Sequence, residues 1–402
     1  MSFRGRILSA GFILLLMASY ATPVLRQEYG GNLRVPEELL QSIETQQLFE
    51  ASEDSLRPNI PFPYKLDETS LSLDLRSLNS ATLNEMSRQV EALQQTSHPC
   101  HWILDYPYFT HEHPSSISLK NGELMFRSTE EEILKAILSS SCLLPSLSAS
   151  LLPFRKTQFG FEANTLCPSG RPFLDSITPV EVDPINPYLS FKLNDVDLCP
   201  IPEARFQQIS GDQDIIVANG PKFFLYLKTM NLPGDQVGAI RSAIDPEELA
   251  RAVLNDHAEV LRPQESGGAP ASFPQSILFS HSVSPDHPYG LLVRRLLVQW
   301  RAAGLHVNES QTAPAGAPQI TFRFQAVREN NFDLFRYRWL REQFGEGWSE
   351  EAWNDALDQL EASGAVVPLL IHTSRIAARK QIRDLIIRAD GYPDFANCWL
   401  QQ

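Results

Sequence analysis

The chain has 402 residues, 43% hydrophobic and 20% charged, the balance of an ordinary globular protein and not of a disordered one. With 34 Lys and Arg against 48 Asp and Glu its formal net charge is −14, which argues against nucleic acid or an anionic membrane as partner, since both reward clustered basic residues. The length exceeds what one hydrophobic core usually serves, so two or three lobes are expected.

Arg4 and Arg6 precede an almost wholly apolar run from Ile7 to Ala21, and Ser19 and Ala21 place small residues at the −3 and −1 positions of a cleavage site. This is the three-part pattern of a secretory signal peptide, with residues 1–21 as leader and Thr22 as the first mature residue. The run falls short of the ~20 apolar residues that span a bilayer; an uncleaved anchor is the rival reading. No cysteine closes the run, so no lipid anchor is expected. The mature protein is placed in the periplasm. Losing the leader removes two arginines and no acid, taking the charge to −16. Five cysteines (Cys100, Cys142, Cys167, Cys199 and Cys398) lack CxxC spacing. An oxidising compartment allows one or two disulfides among them, and mostly buried free thiols are the plainer reading.

Tyr29 to Val35 reads as a glycine-led entry into a first strand. Residues 48 to about 165 are rich in Ser and Pro and weakly periodic. Their clearest element is a helix from Ser128–Thr129, with Glu130 to Glu132 at its positive end and Ile133, Leu134, Ile137 and Leu138 on one stripe. Asp245-Pro-Glu-Glu248 is a helix start, with Asp245 as N-cap and Pro246 in the first turn. A β-α-β unit follows: a strand over 276–279, a helix over 291–303 ended by Gly304, and a strand over 305–307. Residues 320–324 and 332–339 read as two further strands by their period of two. Ser349 caps another helix, with Trp353, Leu357 and Leu360 on its core face. Strands alternating with helices predict an α/β architecture with largely parallel sheets.

On a 332–339 strand, Phe335, Tyr337 and Trp339 share a face with Asp333, and Arg336 and Arg338 point the other way. An aromatic wall with a polar group suits a solute pocket; the alternative is packing against the Trp353 helix. One local cluster carries metal-ligand residue types, His98, Cys100 and His101 with His111 and His113. Its spacing matches no metal motif, and the aromatics between the two pairs read as packing residues, so no metal and no cofactor is expected. There is no GxSxG, HExxH, GxxxxGK[ST] or GxGxxG, and no enzyme is expected.

Several segments resemble a known family. Asn164 to Asp175, ending in Gly170-Arg-Pro-Phe-Leu-Asp175, is similar to the "N…GRPyLD" segment of family 5 extracellular solute-binding proteins, the oligopeptide/nickel class of ABC importers. Phe191 to Leu198 resembles its "l..GevDl" stretch, with Asn194 for glycine. Phe224 to Asn231 and Val237 to Asp245 resemble its "yl.fN…vRrAi..AID" pair, Phe332 to Trp339 its "yDlal.gW", Val367-Pro-Leu369 its "iPLy", and Gly391 to Trp399 its closing strand. After Trp339 the family continues with an acidic "DyPDP" segment; here Leu340 to Trp348 runs differently, so that aspartate is not carried over.

The resemblance implies a two-lobed periplasmic-binding-protein-like fold (type II), α/β, with mixed sheets and helices on both faces. It implies a first lobe from 22–47, 169–222 and 371–402, a reduced inserted subdomain over 48–168, and a second lobe over 223–370, joined by hinge strands. The function implied is capture of a small solute, a peptide first, by a monomer that delivers it to an ABC permease in the inner membrane. The alternative is a degenerate lobe serving as a sensor or interaction module. Ligand-binding candidates are Trp339, Tyr337, Phe335 and Asp333.

Overall fold

A computed structural model describes residues 29–401 apart from 41–42, 44–48, 53–54, 59–61, 96–99, 101–102, 104–115, 129–133, 135–137, 139–151, 168–169, 184–186, 204–205, 207–208, 210, 262–276, 284–286, 288, 311–315, 328–331, 345–364 and 389. The expected leader, His98, His101, His111, His113 and the helix after Ser349 lie outside the described residues.

In chain order β1 (Asn32–Pro36) precedes a hairpin of β2 (Phe49–Ser52) and β3 (Ser55–Pro58), then β4 (Tyr64–Asp67), β5 (Ser70–Asp74), α1 (Ser80–Leu93), β6 (Ser116–Lys120) and β7 (Glu123–Arg127). Next come β8 (Phe154–Thr157), β9 (Gly160–Ala163), β10 (Ser176–Val180), α2 (Pro187–Lys192), β11 (Leu198–Ile201) and the long β12 (Ile215–Met230). Then follow α3 (Gly234–Ser242), α4 (Pro246–Leu254), β13 (Ala258–Val260), β14 (Ile277–Ser280) and α5 (Gly290–Ala302). β15 (Val307–Glu309), β16 (Gln319–Val327), α6 (Phe332–Phe344) and the long β17 (Val366–Arg379) complete the main body.

The largest sheet has the order β11-β17-β12-β16-β14-β15, with β13 also on β17. β12 and β17 pair antiparallel almost end to end, with an irregularity between Asn219 and Lys222. Before that break the two strands share the sheet with β11, whose Cys199 and Ile201 pack with Tyr188, Phe191, Ile209 and Ala377. Beyond it they share the sheet with β16 and β13, over a different core. Two hydrophobic cores are thus joined by the same pair of strands.

Alternation along β12 sets the layers of the second core. Leu225 and Leu227 face a large cluster with Leu249, Leu292, Leu296 and Trp300 from α4 and α5, and Phe224 and Tyr226 face α6 on the other side. The sheet therefore carries helices on both faces. The local signals hold here: Asp245 Oδ1 accepts the Glu248 N–H at 2.9 Å, and Pro246 opens α4. β14 and β15 pair in parallel around α5, with Gly304 at φ +81° ending the turn. Parallel pairing among the described residues is confined to β1 with β10 and to β14 with its two neighbours; the rest is antiparallel, so the sheets are mixed and not largely parallel.

Two smaller sheets surround this body. β1-β10-β9-β8 packs Leu33, Val35, Phe161 and Ile177 with Phe395 and Cys398 from the C-terminal segment. The antiparallel β4-β5-β7-β6 sheet is covered by α1 through Met86, Val90 and Leu93. Of the helix expected from Ser128, Leu134 and Leu138 are described; both are helical and buried in that same cluster.

Candidate functional site

β14 lies between β15 and β16 and parallel to both, and its carboxyl end leads through residues 281–289 into α5. Carboxyl ends of parallel strands are where open α/β sheets present ligand sites. Here the rings of Phe223, His287, Tyr289 and Phe324 gather. Phe324 lies 5.3 Å from His287 and 5.1 Å from Tyr289, and Phe223 lies 6.3 Å from Tyr289, centroid to centroid. Tyr289 is buried, whereas Phe223, His287 and Phe324 remain half-buried, leaving an aromatic surface partly open. Phe223 comes directly after the irregularity of β12, so this surface adjoins the point where the shared strands pass from one core to the other.

His287 has a defined tautomer. Its Nδ1 accepts the Tyr289 backbone N–H at 3.1 Å, so the neutral ring carries its proton on Nε2. Burial pushes its pKa down from the ordinary imidazole value. The half-buried ring therefore offers a hydrogen-bond donor.

Behind the aromatics runs a buried polar chain. Tyr289 Oη lies 2.9 Å from His372 Nδ1, and His372 Nε2 lies 3.4 Å from Glu203 Oε1. Burial drives the Tyr289 pKa far upward, so the hydroxyl keeps its proton and donates to Nδ1, and Nε2–H faces the carboxylate. Glu203 also receives Asn255 Nδ2 on its backbone oxygen at 3.2 Å and has Arg375 Nε 3.7 Å away. The Arg375 guanidinium lies 3.3 Å above the Phe206 ring, a close cation–π contact. Burial alone would raise the Glu203 pKa; the His372 hydrogen bond and the Arg375 charge outweigh it and hold the carboxyl below its usual value. Nearby His257 is pushed down by burial first and then by the Arg375 charge. A Tyr–His–carboxylate order is also that of nucleophile, base and orienting acid. Here the hydroxyl is buried and its pKa raised, the opposite of an activated nucleophile.

The aromatic wall expected over 332–339 is not where the sequence reading put it. Those residues are helical, within α6. Phe335 and Trp339 are one helical turn apart and almost fully buried, at 0% and 1% exposure, with Trp339 5.3 Å from Phe224 and 5.0 Å from Tyr226. Tyr337 points away from them, against the Leu71, Met86 and Leu124 core of the β4-β5-β7-β6 sheet. Phe335, Tyr337 and Trp339 therefore do not share one face with Asp333, whose side chain lies outside the described set. The aromatic spacing fitted a two-residue and a four-residue period alike, and the waiting Phe224–Tyr226 surface decided for the helix. Cys100 is disulfide-bonded, so it presents no thiolate for a metal. Cys167, Cys199 and Cys398 are buried, and burial pushes the Cys398 pKa up to about 12.

Sequence reasoning missed Glu203, Phe223, His287, Tyr289, Phe324 and His372. Their one sequence-level signal is a polar residue inside an apolar run, His372 after Val366 to Ile371.

No protein-family model matches the sequence, and no curated protein matches it. Solved structures do. NikA from Staphylococcus aureus, in complex with Ni(L-His)2, superposes with a TM-score of 0.64 at 12% identity, over 92% of this chain and 100% of that one. The oligopeptide-binding protein AppA from Bacillus subtilis, in complex with a nonapeptide, gives 0.62 at 11% identity over 94% and 100%. The ABC transporter-associated periplasmic binding protein DppA from Helicobacter pylori, in complex with peptide STSA, gives 0.60 at 13% over 94% and 99%. The chain has the fold of the two-lobed periplasmic binding proteins. No helix among the described residues is long and apolar enough to cross a membrane.

Proposed function

We propose that this protein is an extracytoplasmic solute-binding protein that captures a small solute between its lobes and hands it to an ABC permease in the inner membrane. The observation that carries this reading is the half-buried aromatic surface of Phe223, His287 and Phe324 beside the crossing of β12 and β17. Flat aromatic walls with a few fixed polar groups are what a solute pocket requires. The His287 Nε2–H, held as a donor by the Tyr289 N–H, suits a carbonyl-rich ligand, which favours a short peptide. The leader pattern of residues 1–21 and the Cys100 disulfide agree with an oxidising compartment outside the cytoplasm. Binding of this kind proceeds by lobe closure and involves no bond-making chemistry.

Native mass spectrometry of the purified protein tests the reading, followed by calorimetric titration with pools of short peptides. A co-purified or titrated solute is expected, and Phe324→Ala should weaken its capture roughly ten- to hundred-fold, the worth of about 1–3 kcal/mol of aromatic contact. A chain that arrives empty and takes up no peptide would move the sensor or interaction reading to first place.

A further inference from the structure

The buried chain from Tyr289 to Glu203 belongs to two cores at once. Ile201 and Ile209, on either side of Glu203, pack in the core of α2 and β11. Tyr289 and Leu254, beside Asn255, pack in the core of α4 and α5. The apolar clusters stop short of each other here, and polar side chains cross the gap: Tyr289 to His372, His372 to Glu203, and Asn255 to the Glu203 backbone oxygen. His372 and Arg375 stand on β17, the strand that serves both cores, on the second-core side of the sheet and near the irregularity opposite Asn219 to Lys222 respectively.

We infer that the Tyr289–His372–Glu203–Asn255 chain is a latch between the lobes that fixes their relative orientation. A hinge motion at β12 and β17 carries Glu203 with one core and Tyr289 and Asn255 with the other. It must therefore part the His372–Glu203 and Asn255–Glu203 hydrogen bonds, leaving a buried carboxylate with fewer partners, a state that proteins avoid, while the Tyr289 hydroxyl moves with His372 and holds its ring in place. The latch thus sets how much of the population stands in the orientation of the structure, and the apparent affinity of any ligand that selects another orientation falls in proportion. Greasy contacts alone slide; a directional hydrogen-bond chain at van der Waals density has one good arrangement. The inference rests on the two-lobed fold and not on the identity of any solute.

The test is a distance measurement between spin labels on Leu189→Cys in α2 and Val298→Cys in α5, both about half exposed at 50% and 49%. Cys167, Cys199 and Cys398 are buried and stay unlabelled. The otherwise unaltered ligand-free chain should give one narrow distance distribution. Tyr289→Phe, which deletes a single hydroxyl, and His372→Phe, which deletes both of its hydrogen bonds, should each broaden or split it, His372→Phe the more. If both variants lower the melting temperature but keep the parent distribution, the chain is mere core filling and the inference is overturned. Should His372→Phe fail to fold, Asn255→Gly, which removes the other bond to Glu203 and suits the left-handed φ of +49°, decides together with Tyr289→Phe. Because no ligand enters the measurement, a failure to find a solute leaves this result standing, and the reverse holds too.

Discussion

Gly391, at a left-handed φ of +82°, rests directly on the Gly220 peptide of β12, one of the two strands shared by both cores. A β-carbon on Gly391 would overlap the Gly220 carbonyl and come 2.5 Å from Pro221 Cα. Ser374 of β17 closes the same spot by donating its hydroxyl to Pro221 O at 2.8 Å. The C-terminal segment is therefore seated on the crossing by backbone contact, with no side chain between.

Gly391→Ala is accordingly expected to destabilise by at least about 3 kcal/mol, combining the left-handed penalty of about 1–2 kcal/mol with overpacking against backbone that cannot yield. Urea unfolding of the variant beside the parent checks this; coincident midpoints would show that the seat is loose.

Trp339→Ala should behave as a core truncation. With Trp339 at 1% exposure against Phe224 and Tyr226, the loss is about 3–5 kcal/mol of stability. A melt without ligand reads it. A variant that melts like the parent yet loses solute capture would return Trp339 to the binding site.

His287 makes stability depend on pH in the neutral range. Its folded pKa lies below the ordinary 6.5, so its contribution is complete above 6.5 and is lost as pH falls from there through the folded value. His287→Asn keeps an oxygen that can accept the Tyr289 N–H and has nothing to titrate. The stability lost between about pH 7 and about pH 5 should be smaller in the variant than in the parent. Equal losses in denaturant titrations at the two pH values would assign the dependence elsewhere, His257 being the next group with a lowered pKa.

Glu203 acts at lower pH. Its folded pKa is depressed, so its stabilisation is present above the usual carboxylate value of 4.5 and disappears as pH falls through the folded pKa. Glu203→Gln should cost about 3 kcal/mol at neutral pH, because the Arg375 guanidinium loses its counter-charge in a buried site. The gap should close in acid, as pH falls through the depressed folded pKa and the parent carboxyl protonates as well. A gap that persists in acid would mean that shape and not charge holds the cluster.

The binding-protein fold was legible in the order of weak local motifs, and the α4 cap and the β14–α5–β15 unit in local chemistry. Asp245 beside Pro246, and Gly304 after Trp300, act through contacts within a few residues, so the chain itself specifies them. The placement of β8 and β9, which lie within the expected insert but pair toward β10 in the sheet of β1, depends on partners elsewhere in the chain. So does the state of 332–339: its aromatics suit a strand and a helix equally, and only the Phe224–Tyr226 face, about 110 residues away in sequence, selects the helix. The functional cluster is the extreme case. Glu203, Tyr289 and His372 lie far apart along the chain and carry no shared motif, and they meet because β17 crosses from one core to the other between them. Local hydrogen bonding determines caps and turns; which buried polar groups must find one another is decided when the cores close around them.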